Sequence, residues 1–391
     1  MLGYVPTQRD TVLILGAAQR AAQATARSLT RAGFRVVGAW EGGRLAGRTR
    51  YCERLLRIPA ARETPEFVTA VREICERESV RAIVPLSDEL QAALLTRPEA
   101  AGEAVVVGPS LDVFRRLGDK VGLLETAAAA GVRKPLTAVV TSVDELPELL
   151  PLPGYVKVAT CIYAGRPAGR PVRVTERAEC ERVVKQWTDR GDTVVVQEEI
   201  DGVHWRFHFV RGSRRCHQVA ARQLGDQPYR VGQSTVLEFC AMPPELARIS
   251  LRLLDAAGYR GMGSIQWIER DGEWFIHDAN LRIPAAVAGT IAAGLDMPRL
   301  GVETALGRKP ASAGSPARRV RYVWFPGELA ALRDALRGAP SGRSPRQIAG
   351  SVLLGTVSPR RRLVPFDLTD PLPTIASIAA LVRRQQEVPA A

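Results

Sequence analysis

The stretch "EWFIHDANLRIPA", Glu273 to Ala285, decides how this chain is read. Trp274, Phe275 and Ile276 are the aromatic and β-branched residues of a half-buried strand. Asp278, Asn280 and Arg282 follow two apart, which places them on one face of a continuing strand. A carboxylate, an amide and a guanidinium in a row, where an apolar face should go on, point to a site rather than a core.

Working back from there, "GMGSIQWIER" (261–270) is a second strand, and Asp271-Gly272 is a hairpin turn signal. Loop length fixes which side chains meet. A two-residue loop pairs Arg270 with Glu273 and sets Gln266 opposite His277, so that Gln266 and Asp278 point to opposite faces. A three-residue loop, with Gly272 at positive φ, pairs Glu269 with Glu273 and makes Asp278 a diagonal neighbour of Gln266. The three-residue loop is the expectation, because it gathers Gln266, Asp278 and Asn280 on one surface. Three oxygen donors of that kind suit a hard divalent cation that takes its remaining ligands from phosphates and water.

The 391 residues exceed one small core and fit two or three packed units. "TVLILG" (11–16), a helical segment ending at Gly33 and "FRVVGAW" (34–40) form a βαβ unit. Further helix–strand alternation through "RAIVPLS" (81–87) and "AVVVGP" (104–109) predicts a parallel, Rossmann-like sheet. Its first turn, "GAAQRA", has Gly16 alone where a dinucleotide site needs GxGxxG, which argues against a dehydrogenase. After residue 109 the pattern changes. Two short helices lead to "LPGYVKVAT" (152–160) and "DTVVVQEEIDG" (192–202). Hairpin-paired strands follow, as in an α+β unit. "LGRKPASAGSPARR" (306–319) reads as a linker or surface loop, and a strand, a helix and a frayed tail come after it.

Composition removes several functions. The net charge is +13, but Lys120, Lys134, Lys157, Lys185 and Lys309 are the only lysines among 54 basic residues. The dispersed arginines lack a nucleic-acid module or interleaved aromatics, so an anionic small substrate explains the excess better. No apolar run reaches the roughly 20 residues of a membrane helix, and the first residues do not read as a secretory signal. Cys52, Cys75, Cys161, Cys180, Cys216 and Cys240 have no metal-ligand spacing and read as reduced thiols of a cytoplasmic protein. His208, His217 and His277 read as ordinary strand residues, and Asp88 and Glu89 as the cap of a helix.

The residues now carry a resemblance. Gln266 on one strand and Asp278, Asn280 and Arg282 on the next resemble the metal-binding hairpin of the ATP-grasp superfamily, in the variant of the carbamoyl-phosphate synthetase large chain. "GDKVGLLETAAAAGVRKP" resembles the family's first nucleotide-contact helix, "GYVKV" its lysine strand and "VVVQEEIDG" its hinge. The resemblance implies a pre-ATP-grasp domain over 1–108 and an ATP-grasp domain over 109–310 with a mobile lid subdomain at about 136–197. A small C-terminal α/β extension would occupy 311–391. It implies ATP contacts from Lys120, Lys157, His204 and the backbone of Glu198, Glu199 and Ile200. Gln266, Asp278 and Asn280 would hold Mg²⁺ (or Mn²⁺). Arg282 would hold the acyl phosphate, and Arg206 and Arg222 would face the substrate. Residues 158–173, with Gly165, Gly169, Arg166, Arg170 and Arg173, would close over the phosphates.

The implied reaction joins a small carboxylate to an amine through an acyl phosphate, turning ATP into ADP and phosphate. Neither nucleic acid nor membrane is an expected partner, and the resemblance leaves room for a homodimer. Asp278 stands where the family usually has Glu, Leu281 where it has Pro, and His204 where many relatives have an acidic residue. Asp278, His204 and a lid with only Gly165 and Gly169, where relatives are often richer in Gly and Ser, motivate a second reading, a nucleotide-binding protein without ligase turnover. Carboxyphosphate chemistry of the biotin-carboxylase or carbamoyl-phosphate kind is a third. The chain is too short for a double synthetase, and no glutaminase or biotin-carrier segment is recognisable in it.

Overall fold

The computed structural model describes residues 9–41, 48–59, 62, 64–159, 171–213, 215–309, 319–357, 361–377 and 379. The expected lid tip, with Gly165, Arg166, Gly169 and Arg170, lies outside them, as do Cys161 and most of the expected linker and tail.

The first unit runs β1 (Thr11–Leu15), α1 (Ala22–Arg31), β2 (Arg35–Glu41), β3 (Arg54–Ile58), α2 (Pro65–Arg77), β4 (Val80–Pro85), α3 (Asp88–Thr96) and β5 (Val105–Val106). All pairings are parallel, in the order β3-β2-β1-β4-β5. Every residue of β1 is buried, as a strand covered on both faces requires. Sequence patterning missed β3, "RLLRI", whose two arginines interrupt its apolar run.

Helices α4 (Leu111–Gly118) and α5 (Lys120–Ala129) follow. Asp119 caps α5, its carboxylate accepting from the N–H groups of Val121 and Gly122 at 2.8 and 3.0 Å. That cap fixes Lys120 at the first helical position. Next comes an antiparallel sheet of β6 (Thr137–Val140), β7 (Gly154–Val158), β8 (Val172–Val174) and β9 (Val194–Glu198), ordered β6-β9-β7-β8. Helix α6 (Arg177–Thr188) covers one of its faces with Cys180, Val183, Val184 and Trp187.

The central sheet is built from β10 (Val203–Arg211), β11 (Cys216–Gln227) and β12 (Gln233–Cys240). After α7 (Pro244–Ala256) come β13 (Gly261–Arg270) and β14 (Glu273–Asn280), and then α8 (Val287–Ala292) and α9 (Met297–Ala305). The last elements are β15 (Val320–Trp324), α10 (Phe325–Leu336), α11 (Pro345–Val357) and β16 (Arg361–Val364). The strand order is β14-β13-β10-β11-β12-β15-β16. The C-terminal segment is therefore built onto this sheet: β15 pairs antiparallel with β12, and β16 parallel with β15.

Two cores flank the central sheet. On one side Phe207, Phe209, Ile265 and Trp267 meet α4, α5 and α7. On the other, Val210, Phe239 and Met262 join α8, α9 and the first sheet's Val12 and Ile14 in one continuous cluster. The first unit and the central sheet thus share a core, which sets the first loop of the chain against the central sheet.

Candidate active site

The hairpin uses the two-residue loop, not the three-residue one. Asp271 and Gly272 both take positive φ, 53° and 80°, as a type I′ turn requires, and Arg270 pairs with Glu273. Register then shifts: Trp267 faces Ile276, but Gln266 faces Asp278, leaving His277 as the extra residue of a β-bulge. The bulge reverses the alternation. Trp274 and Ile276 point into the helix-covered core, and so do Ala279 and Leu281 beyond the bulge. Asp278 and Asn280 therefore emerge on the opposite face. A turn and a bulge together put Gln266 directly across from Asp278, and Ser264 across from Asn280.

The same face continues onto β10, where Arg206 lies beside Gln266 and His208 beside Ser264. Arg206, Gln266 and Asp278 form one row across three strands. They border a cavity of about 310 Å³ whose walls include Lys120, Lys157, His204, Asn280, Arg282 and Arg20. A second cavity of about 470 Å³ shares Tyr155, Lys157, His204, Arg230 and His277 with the first. Glu198, Glu199, Ile200 and the segment Ser341–Arg343 close its far side. Together the two cavities run between the central sheet and the sheet of β6–β9.

Charge is concentrated here. Lys120 Nζ donates to Asp278 Oδ1 at 2.7 Å. Burial works to raise the Asp278 carboxyl, but Lys120 and then Lys157 overcome it and hold it below its usual range. Lys157 is buried, donates to Gln197 Oε1 at 2.8 Å, and is pulled down to about 7 by burial and by the charge of Lys120. Burial, followed by the charge of Arg206, lowers His204 to about 4. Its ring meets His277 edge-on at 5.5 Å. Burial likewise lowers His277 well below its normal value and His208 to about 3, so all three are neutral at physiological pH.

Arg282 leaves β14 to donate to Asp88 Oδ2, from Nε at 2.9 Å and Nη2 at 2.8 Å. Asp88 is not the helix cap; Ser87 is, accepting from the Leu90 N–H at 3.2 Å. Burial holds the Asp88 carboxyl above its usual range despite Arg282.

The structure therefore brings Lys120, Lys157, His204, Gln266, Asp278, Asn280 and Arg282 together around the first cavity. Glu198, Glu199 and Ile200 line the second. The hinge N–H groups are partly committed: Glu198 donates to Leu136 O at 2.9 Å and Glu199 to Pro153 O at 2.8 Å. The Glu199 carboxylate binds Tyr155, Arg173 and Arg230. Arg222 does not join the row. It lies opposite Trp205, one step out of phase with Arg206, and pairs with Glu238 at 3.1 Å. Arg20 was missed altogether. It sits in the first βα loop, at the carboxyl end of β1, where open α/β sheets place ligands.

Among the described residues no group of three or more His, Cys, Asp or Glu could hold a metal. The donor set suits Mg²⁺ in another form. One carboxylate and the two amide oxygens of Gln266 and Asn280 are too few for a protein-only cage. They fit a cation whose other ligands are phosphate and water.

The fold, a parallel first sheet, a small antiparallel sheet and a larger, mainly antiparallel sheet with the cavities between the last two, is shared with solved structures of low sequence identity. The chain is similar to the biotin carboxylase of Campylobacter jejuni (17% identity, TM-score 0.66, covering 80% of this chain and 74% of that one). It is equally similar to an L-amino acid ligase of Bacillus licheniformis (17%, 0.66, 81% and 80%). The biotin carboxylase domain of Hydrogenobacter thermophilus 2-oxoglutarate carboxylase, solved with MgADP and bicarbonate, aligns at 16% identity, TM-score 0.61, covering 80% and 72%. No family model matches the sequence. No curated protein matches it either.

Proposed function

We propose that this protein is an ATP-dependent carboxylate–amine ligase that works through an acyl phosphate. The observation that carries the reading is the row Arg206–Gln266–Asp278, with Asn280 beside it, which lines one cavity between two sheets together with Lys120 and Lys157. Such a cavity suits a triphosphate, and the known fold neighbours include complexes with an ATP analogue and with MgADP. Adenine would lie in the second cavity, against Ile200 and the hinge. Lys157 and Lys120 would bind phosphate oxygens, and Gln266, Asp278 and Asn280 would hold Mg²⁺. The cation, when bound, neutralises phosphate charge.

Positioning and charge do most of the work in phosphoryl transfer. A substrate carboxylate oxygen attacks the γ-phosphorus, the bond to the β-phosphate oxygen breaks, and ADP leaves. Arg282, once released from Asp88, would orient the acyl phosphate. A neutral amine then attacks the carbonyl carbon. The C–O bond to phosphate breaks, and the amine proton passes to the departing phosphate or to solvent.

A specific observation favours the second reading, nucleotide binding without turnover. Asp278 is tied to Lys120 and Arg282 to Asp88, so both must loosen for the reaction. One assay separates the two: release of ADP and phosphate with Mg²⁺ against amino acids and small carboxylates. Ligation predicts substrate-stimulated release, reduced about 100-fold or more by Asp278→Ala. Measurable ATP affinity without stimulated release selects the second reading. Full activity in Asp278→Ala removes the metal assignment.

A further inference from the structure

Around the first cavity, two arginines have no ion-paired carboxylate among the described residues, although Asp278 and Asp226 act on Arg206 through their charge. Arg20 donates from Nη2 to Gln233 Oε1 at 3.2 Å, and its guanidinium lies 4.1 Å from the centre of the Trp324 ring. Arg206 donates from Nη2 to Gln223 Oε1 at 2.7 Å and to Ser234 Oγ at 3.0 Å. Adjacent residues of β12, Gln233 and Ser234, thus tether the two guanidiniums to one rim. In both, Nη1 is buried and has no hydrogen-bond partner among the described residues. Neither arginine has a carboxylate within ion-pair distance among those residues. The contrast with their neighbours is sharp: Arg282 has Asp88, Arg222 has Glu238 and Arg230 has Glu199.

A buried donor left unpaired on a charged group is costly unless something else completes it. The neutral ligands on each guanidinium fix its direction without neutralising it. Gln and Ser tethers of this kind preorganise a cation for an incoming anion.

We infer that Arg20 and Arg206 form an anion-reading subsite, and that one substrate carries a carboxylate or phosphate group in addition to its reacting group. This rests on the ligase reading only for placing the reacting carboxylate near Arg282; the subsite itself rests on the two arginines. Its chemistry is that of a compact dianion spanning from Arg282 to Arg20.

The test is calorimetric binding of acetate, succinate and 2-phosphoglycolate to the full chain, with and without a non-hydrolysable ATP analogue and Mg²⁺. The expected result is that succinate or 2-phosphoglycolate binds about tenfold or more tighter than acetate, falling off with added salt. Whichever dianion binds tighter assigns carboxylate or phosphate. Arg20→Met and Arg206→Gln should each remove most of that advantage, and a thermal melt shows which variant is folded and carries the test. Equal binding of acetate and both dianions overturns the inference. So does an undiminished dianion preference in a folded variant. Neither result touches the ligase reading, which falls instead if the wild-type chain fails to bind the ATP analogue.

Discussion

Lys157 lines the cavity with its ammonium drawn down toward neutrality. Burial and Lys120 bring it to about 7, whereas the unfolded chain keeps an ordinary lysine. Between pH 7 and about 10 the unfolded chain therefore binds more protons, so folding stability rises with pH across that window. Nucleotide binding has the opposite sign. Phosphates favour the ammonium, so ATP binding should take up a proton above pH 7, and its dissociation constant should rise up to about tenfold per pH unit. Affinity measured from pH 6 to 9 in wild type and Lys157→Met checks this. The variant should be weak and flat, and a flat wild-type profile would contradict the assignment.

At the scale of the element, the phase of β14 beyond His277 determines what the strand shows to the cavity. Removing His277, the extra residue, leaves Ile276 and Asp278 consecutive, so Asp278 and Asn280 keep the cavity face and Ala279 and Leu281 the core; the deletion should cost little. An alanine inserted between Asp278 and Ala279 shifts the phase instead, turning Asn280 into the core and Leu281 out of it, and should cost about 3 kcal/mol or more, read by urea unfolding. Equal stability of the two would mean that the phase of the strand is not what orients the row. The sequence made much of this legible. The βαβ unit, the hairpin and the spacing of Asp278, Asn280 and Arg282 follow from local patterns, and Lys120 and Lys157 from the resemblance of the segments that carry them. The bulge does not, because a histidine in a strand looks the same bulged or paired. Arg20 escapes for another reason: its meaning lies in neighbours distant in the chain, Gln233 and Trp324. Arg206 is named by the resemblance, but its tethers Gln223 and Ser234 are not. Likewise Ser87 and Asp88 are equally good caps on paper, and only Arg282 decides between them.

For the whole molecule, the shared core is the main constraint. Phe239 is fully buried in the cluster that joins the first sheet, α8 and the central sheet. A Cβ built on Gly289 of α8 would come within 2.2 Å of the Phe239 ring, a measure of how closely the helix lies on it. Phe239→Ala should therefore cost about 3–5 kcal/mol, and far-UV and tryptophan signals should lose structure in one transition. Two separate transitions would show that the sheets are independent. Nearer the second cavity, Arg343 grips the buried Glu328 with two bonds of 2.8 and 2.5 Å. The stacking of Arg20 on Trp324 makes a demand on synthesis. Arg20 is synthesised long before the strand that carries Trp324, and until that strand is made this end of the cavity lacks the ring on which the guanidinium lies.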